Sequence, residues 1–195
     1  MAKKLLVLCM AAIMAVAALV AGCGGDQKAA SDNKVLKVGT NADFAPFEFQ
    51  DENGKEYQGF DMDLIRAIGE EMGYKVEISN IQFDGLIPAI QAGNIDVAIT
   101  GMTINEERKQ NVLFSDPYYK SGLSIIVAKD NNDIKTFQDL KGKKVAVQIG
   151  TTSAAEVNKI GGVEVKEFNS SADTFMELRA KGVDAVVNDR PVNDY

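Results

Sequence analysis

From Lys34 onward, short apolar runs alternate with amphipathic stretches. Val35 to Thr40, Val76 to Asn80 and Ile95 to Thr100 are brief, rich in β-branched residues and bounded by Gly, Asn or Asp, which is the signature of strands. Between them, Met62, Ile65, Ile68 and Met72 recur at helical spacing, so Met62 to Met72 is expected to be a helix, with Asp61 as its N-cap and Gly73 as its stop. Gly85 to Ala92 gives a second helix, capped by Asp84 and carrying Pro88 in its first turn, where a missing backbone donor costs little. The first half therefore reads βαβαβ.

A second set follows. Leu123 to Ala128, Lys144 to Gln148, Val163 to Phe168 and Asp184 to Asn188 are expected as strands, with helices near Thr136 to Leu140, Ser153 to Ile160 and Ser171 to Ala180. Both sets end alike: Gly93-Asn94-Ile95-Asp96-Val97-Ala98 in the first and Lys181-Gly182-Val183-Asp184-Ala185-Val186 in the second run from a helix stop into an apolar strand. The fold class that follows is α/β with two similar lobes, each a three-layer arrangement around a mostly parallel sheet. Sheets of this kind bind ligands beyond the carboxyl ends of their strands.

Four segments sit there: Gly39 to Phe47, Thr100 to Arg108, Gln148 to Ser153 and Asn188 to Arg190. If the lobes face each other, the four converge on one cleft. Arg108 offers a planar fork for a carboxylate, and Thr103, Thr151 and Thr152 add donors near helix starts that favour anions. Taken alone, Arg108 in Asn105-Glu106-Glu107-Arg108-Lys109 equally fits a solvated helix face with local ion pairs, and Thr103 to Glu106 a capping box. Asp189 would present a carboxylate to an ammonium group, or serve as a turn residue before Pro191. Phe44 and Phe83 are placed either to sandwich a carbon chain or to fill the core. A fork, a carboxylate and apolar walls together describe a zwitterionic α-amino acid.

The first residues have another character. Lys3 and Lys4 precede an uncharged, mostly apolar run from Leu5 to Ala21 and then Val20-Ala21-Gly22-Cys23, the pattern of an export signal. A plain membrane anchor helix is the other reading of that run. Residues 1–22 are expected to be removed, and 23–33, polar and without apolar periodicity, to form a flexible tether. Cys9 and Cys23 are the only cysteines, so once Cys9 is removed no disulfide is available and the core must hold by packing. With no histidine anywhere in 195 residues, histidine metal sites and histidine triads are excluded, and no cofactor or metal is expected. A net charge of −7, more negative once Lys3 and Lys4 leave, argues against nucleic acid as a partner.

The stretches GTNADFAPFEF from Gly39, GFDMDL from Gly59, FDGLIPAIQAG from Phe83, DVAITGMTINEERKQNVLFSDPYYKSG from Asp96, LKGKKVAVQIGTTS from Leu140 and DAVVNDRP from Asp184 resemble, in this order, the polar amino-acid branch of the bacterial extracellular solute-binding proteins. The small residues before Cys23 likewise resemble a lipoprotein signal. The resemblance implies a two-lobed periplasmic-binding-protein fold (type II) with lobe 1 over 34–120, lobe 2 over 121–195 and a hinge near Tyr119 to Leu123. It also implies a lipid on Cys23, a place in the periplasm or on the outer face of the cytoplasmic membrane, and monomers that deliver a free polar amino acid to the permease of an ABC importer. Arg108 would take the α-carboxylate with the Thr103 and Thr152 backbone, Asp189 and the Thr100 carbonyl the α-ammonium, and Phe44 and Phe83 the side chain. Gly101 and Thr151 complete the expected set, with Asn41 and Gln148.

Asn41 stands where relatives often carry aspartate, and Gln148 where a glutamine binder can carry lysine. Neutral Asn41 removes a charge that would favour a cation, while Asp43 and Glu48 restore some. Glutamine is the first expected ligand, and arginine or another polar amino acid the second. Family chains continue past the equivalent of Tyr195, so an incomplete second lobe without its return segment is expected. Two rival functions share the fold: a receptor's ligand-sensing domain, and a dehydratase-like enzyme using Glu48 or Asp189 as acid or base.

Overall fold

The apolar runs become the strands of two sheets in the computed structural model, which describes residues 34–195. The expected signal segment (1–22), the lipid site Cys23 and the tether (23–33) lie outside the described residues. In the first lobe, β1 (Lys34–Thr40) is flanked by β5 (Tyr74–Asn80) and β6 (Val97–Ala98), all parallel. In the second, the order is β7 (Leu123–Val127), β10 (Ala185–Asp189), β8 (Lys144–Gln148), β9 (Glu164–Phe168), with only the β7–β10 pair antiparallel. The mostly parallel reading therefore holds for both.

Period-two alternation makes the layers. In the second lobe Val145, Val147, Ala185 and Val187 pack on one face with Ala154 and Val157 of α4 (Thr152–Ile160). Ala146 and Val186 turn to the other face, against Leu178 of α5 (Ser171–Arg179). In the first lobe Val38 meets Met62 and Ile65 of α1 (Phe60–Met72). The opposite face at Gly39 is closed by Ile95 and by Leu86 of α2 (Leu86–Gln91). The matching strand entries are built alike: Asp96 accepts the Lys37 amide at 2.8 Å, and Asp184 the Lys144 amide at 2.8 Å.

Three local expectations are corrected. Asp61 lies inside α1, whose N-cap is Gly59; wholly buried, it accepts from tertiary partners instead of capping. Gly73 does end that helix in the left-handed region, at φ 70°. Asp84 falls within a 3-10 turn, Phe83–Gly85, ahead of α2 and caps nothing. The short helix α3 (Glu106–Lys109) is capped by Asn105, whose Oδ1 accepts the Arg108 amide at 2.8 Å, so Thr103 belongs to no capping box. The sequence reading also missed a small antiparallel sheet, β2 (Asp43–Phe44), β3 (Glu48–Gln50) and β4 (Tyr57–Gln58). The last helix, α6 (Arg190–Asn193), begins straight after β10.

Candidate functional site

Strand ends and helix starts bring all eleven sequence-chosen residues around one narrow cavity. Asn41, Phe44, Phe83, Thr100, Gly101, Thr103 and Arg108 come from the first lobe, and Gln148, Thr151, Thr152 and Asp189 from the second. Two further lining residues escaped selection as binding groups, Glu48 and Asn188. Asn188 was detectable as a polar side chain closing an apolar strand. Glu48 was weighed only for its charge or as an acid, because the strand that carries it is three residues long and shows no period.

Arg108 is held for planar recognition. Its Nη1 donates to the Thr103 carbonyl at 2.7 Å and its Nη2 to the Gly150 carbonyl at 3.0 Å, so the guanidinium reaches from one lobe to the other. It also lies over the Phe83 ring, 5.3 Å from the centroid, a cation–π stack that fixes its plane. Burial pulls its pKa below the usual value, opposed by the nearby charges of Glu107 and Asp189, but a guanidinium stays protonated. Asp189, at the end of β10, accepts from the Ser121 hydroxyl at 2.8 Å. Burial raises its pKa, while Ser121 and Arg108 oppose the rise. The cavity thus holds a fixed cation and an anion facing each other without a direct ion pair.

The far wall is neutral. Gln148 donates through Nε2 to Asn41 Oδ1 at 2.6 Å, across 107 positions of sequence, and to the Asn169 carbonyl at 3.1 Å. Thr151 caps α4, accepting the Ala154 amide at 3.2 Å and donating to the Gln148 carbonyl at 2.7 Å, and with Thr152 it brings the start of that helix to the cavity lining. Gly101 adopts φ 54°, and a Cβ there would stand 3.1 Å from the Phe44 ring. Glycine is required both by the left-handed backbone and by the ring's approach.

Beneath this loop lies a pair of buried carboxyls. Thr100 Oγ1 donates to Glu48 Oε1 at 2.9 Å, and Asp61 Oδ2 accepts from the Gly101 amide at 2.9 Å and the Tyr118 hydroxyl at 2.8 Å. Glu48 Oε2 and Asp61 Oδ1 are buried without another partner, yet the two side chains lie within hydrogen-bonding reach of each other. Burial, and then the Asp61 charge, push the Glu48 pKa well above the usual carboxyl range. A proton kept on Glu48 and donated to Asp61 gives both a partner.

Among the described residues no group of three or more acidic, Cys or His side chains is placed to hold a metal, and no helix is long and apolar enough to cross a membrane.

The arginine-binding extracellular protein ArtP of Bacillus subtilis (strain 168) is 34% identical over 189 residues, which cover 95% of this chain and 72% of that protein. An ancestral arginine-binding protein superposes at TM-score 0.80 with 53% identity when bound to arginine (82% of this chain, 71% of that one). Bound to glutamine, it gives 0.79 and 54% (81% and 70%). An ancestral amino acid-binding protein, AncCDT-1, described as a precursor of cyclohexadienyl dehydratase, gives 0.78 and 47% over 81% of this chain and 71% of that one. The model for bacterial extracellular solute-binding proteins, family 3, matches residues 36–193. With most of the chain matched and the two-lobed fold shared, this chain belongs to the bacterial extracellular solute-binding proteins, family 3.

Proposed function

We propose that the chain is the binding component of an amino-acid ABC importer, and that it clamps one polar L-amino acid between a first lobe over 34–120 and a second over 121–195. The observation that carries this reading is the facing of Arg108 and Asp189 across a buried cavity, a fixed cation and a fixed anion matching the two ends of an α-amino acid.

In this reading the α-carboxylate displaces the Thr103 and Gly150 carbonyls from the Arg108 fork and takes amides at the start of α4. The α-ammonium sits between Asp189 and the Thr100 carbonyl. Phe44 and Phe83 flank the aliphatic part, and the side-chain end meets the Asn41–Gln148 wall. Because these groups come from both lobes, ligand stabilises the closed form, the form a permease recognises.

Glutamine and arginine both suit the neutral wall. The names of the relatives weigh towards arginine. Arginine is therefore placed ahead of glutamine, with turnover no part of the function. Export through residues 1–22, a lipid on Cys23 and a monomeric state belong to the same proposal.

The test is a thermal-shift panel of the twenty amino acids on the purified chain, with Arg108→Ala and Asp189→Ala alongside. A ligand at a hundred times its Kd should add about 2.7 kcal/mol to stability. A shift with L-arginine or L-glutamine that both variants lose supports the clamp. A shift that survives Arg108→Ala removes it.

A further inference from the structure

A second set of cross-lobe contacts lies outside the cavity. Asp43, on β2 of the first lobe, does not line the cavity, yet its Oδ2 accepts the Ser171 amide at 3.0 Å across 128 positions of sequence. Ser171 is the first residue of α5, in the second lobe. That helix already has its own cap: Ser170 Oγ accepts the Asp173 amide at 3.0 Å, which leaves the Ser171 amide for an outside acceptor. The Ser171 hydroxyl in turn accepts from Asn188 at 2.9 Å, one residue before Asp189. Phe44, the next residue after Asp43, is a cavity wall. The contact thus ties a ligand-facing strand of one lobe to the helix start that braces the ligand-facing strand end of the other.

We propose that Asp43 is the latch of the clamp, a positioning residue whose carboxyl docks on the N-terminus of α5 only when the lobes close and so sets how tightly ligand is held. The latch rests on the clamp reading above. An open form would leave both the carboxyl and the Ser171 amide to water, so the bond belongs to the closed state alone. An oxygen acceptor at a helix start contributes about 1 kcal/mol, or roughly fivefold in a closure equilibrium.

The latch carries a pH dependence with a definite sign. The titratable groups facing Asp43 are Asp173 from α5 and Glu48 from β3, both acidic. Burial, opposed by the Ser171 amide and reinforced by Asp173, raises its pKa to about 6 in the closed form. The open form, with the side chain in water, keeps the ordinary value. Closure therefore takes up a proton, and the closed form gains as pH falls. From these values, ligand affinity attributable to Asp43 should rise about fourfold from about pH 7.5 to about pH 5.5. Asparagine at this position keeps the acceptor and has no charge to bury, so it mimics the protonated latch.

The experiment is calorimetric titration of the full chain in mild detergent with L-arginine and L-glutamine at both pH values. It compares the parent, Asp43→Asn and Asp43→Ala, with the Ser171 amide resonance followed in parallel. At about pH 5.5, where the latch is mostly protonated, Asp43→Ala is expected to bind about fivefold more weakly with an unchanged melting temperature. Asp43→Asn should bind at least as tightly as the parent at about pH 7.5 and lack its fourfold gain on acidification. The Ser171 amide should titrate in the parent and not in Asp43→Asn. Equal affinities in all three folded proteins, or the same acid gain in Asp43→Asn, overturn the latch. If the parent binds no amino acid, the clamp reading fails separately, and a Ser171 amide insensitive to Asp43→Asn then rejects the latch on its own.

Discussion

Replacing Glu48 by glutamine should make the protein more stable as pH rises, although it alters one of the most buried polar side chains. Glu48 is fully buried, its Oε1 occupied by the Thr100 hydroxyl and its remaining capacity turned to Asp61. Its pKa is raised in the fold, so the sign is fixed: the stability it contributes is complete below the ordinary glutamate range and is lost as pH climbs towards the folded value. In the unfolded chain the same group ionises near about 4.3. Above that pH, folding must take up one proton, which costs about 1.4 kcal/mol per pH unit until Glu48 itself ionises.

Glutamine needs no proton, donates to Asp61 through Nε2 and accepts from Thr100 through Oε1. The stability gap in favour of Glu48→Gln should therefore widen as pH rises above the ordinary glutamate range, by up to about 1.4 kcal/mol per pH unit while Glu48 keeps its proton. For a chain of this size each such unit corresponds to about 3–6 °C in Tm. Asp43 titrates in the same direction but is present in both proteins, so the difference isolates Glu48. Urea melts of the two proteins at rising pH supply the measurement. Parallel profiles, or a gap that narrows as pH rises, would refute a proton held by the Glu48–Asp61 pair.

Two other substitutions test the frame. Leu140, fully buried in the main core of the second lobe, should cost about 2–5 kcal/mol on replacement by alanine, read as a lower urea midpoint at unchanged slope. Gly101→Ala places a methyl group against Phe44 at a backbone φ of 54°, and should cost about 1 kcal/mol or more of stability while also weakening arginine or glutamine binding, measured by melting and by titration.

Local chemistry made most of the architecture legible. The unbroken apolar runs in Lys144–Gln148 and Ala185–Asp189 needed only neighbouring residues to announce strands buried on both faces, and the repeated entry at Asp96 and Asp184 announced two similar lobes. The resemblance then named the cleft residues, and all eleven line one cavity because strand ends and helix starts are positions that sequence marks well.

What failed was local in appearance and tertiary in cause. Asp61 looks like a cap from its neighbours, but Gly101 and Tyr118, forty and fifty-seven positions away, claim its carboxylate. The hairpin from Asp43 to Gln58 has strands of two or three residues, too short for any period to register. The proton on Glu48, the Gln148–Asn41 wall and the Asp43–Ser171 bond depend on burial and on approach between segments remote in sequence. Periodicity and capping act over a few residues, whereas desolvation and cross-cleft hydrogen bonds exist only once the chain has closed on itself, so the sequence determined the two lobes and their facing edges, and the tertiary structure alone decided which charges survive between them.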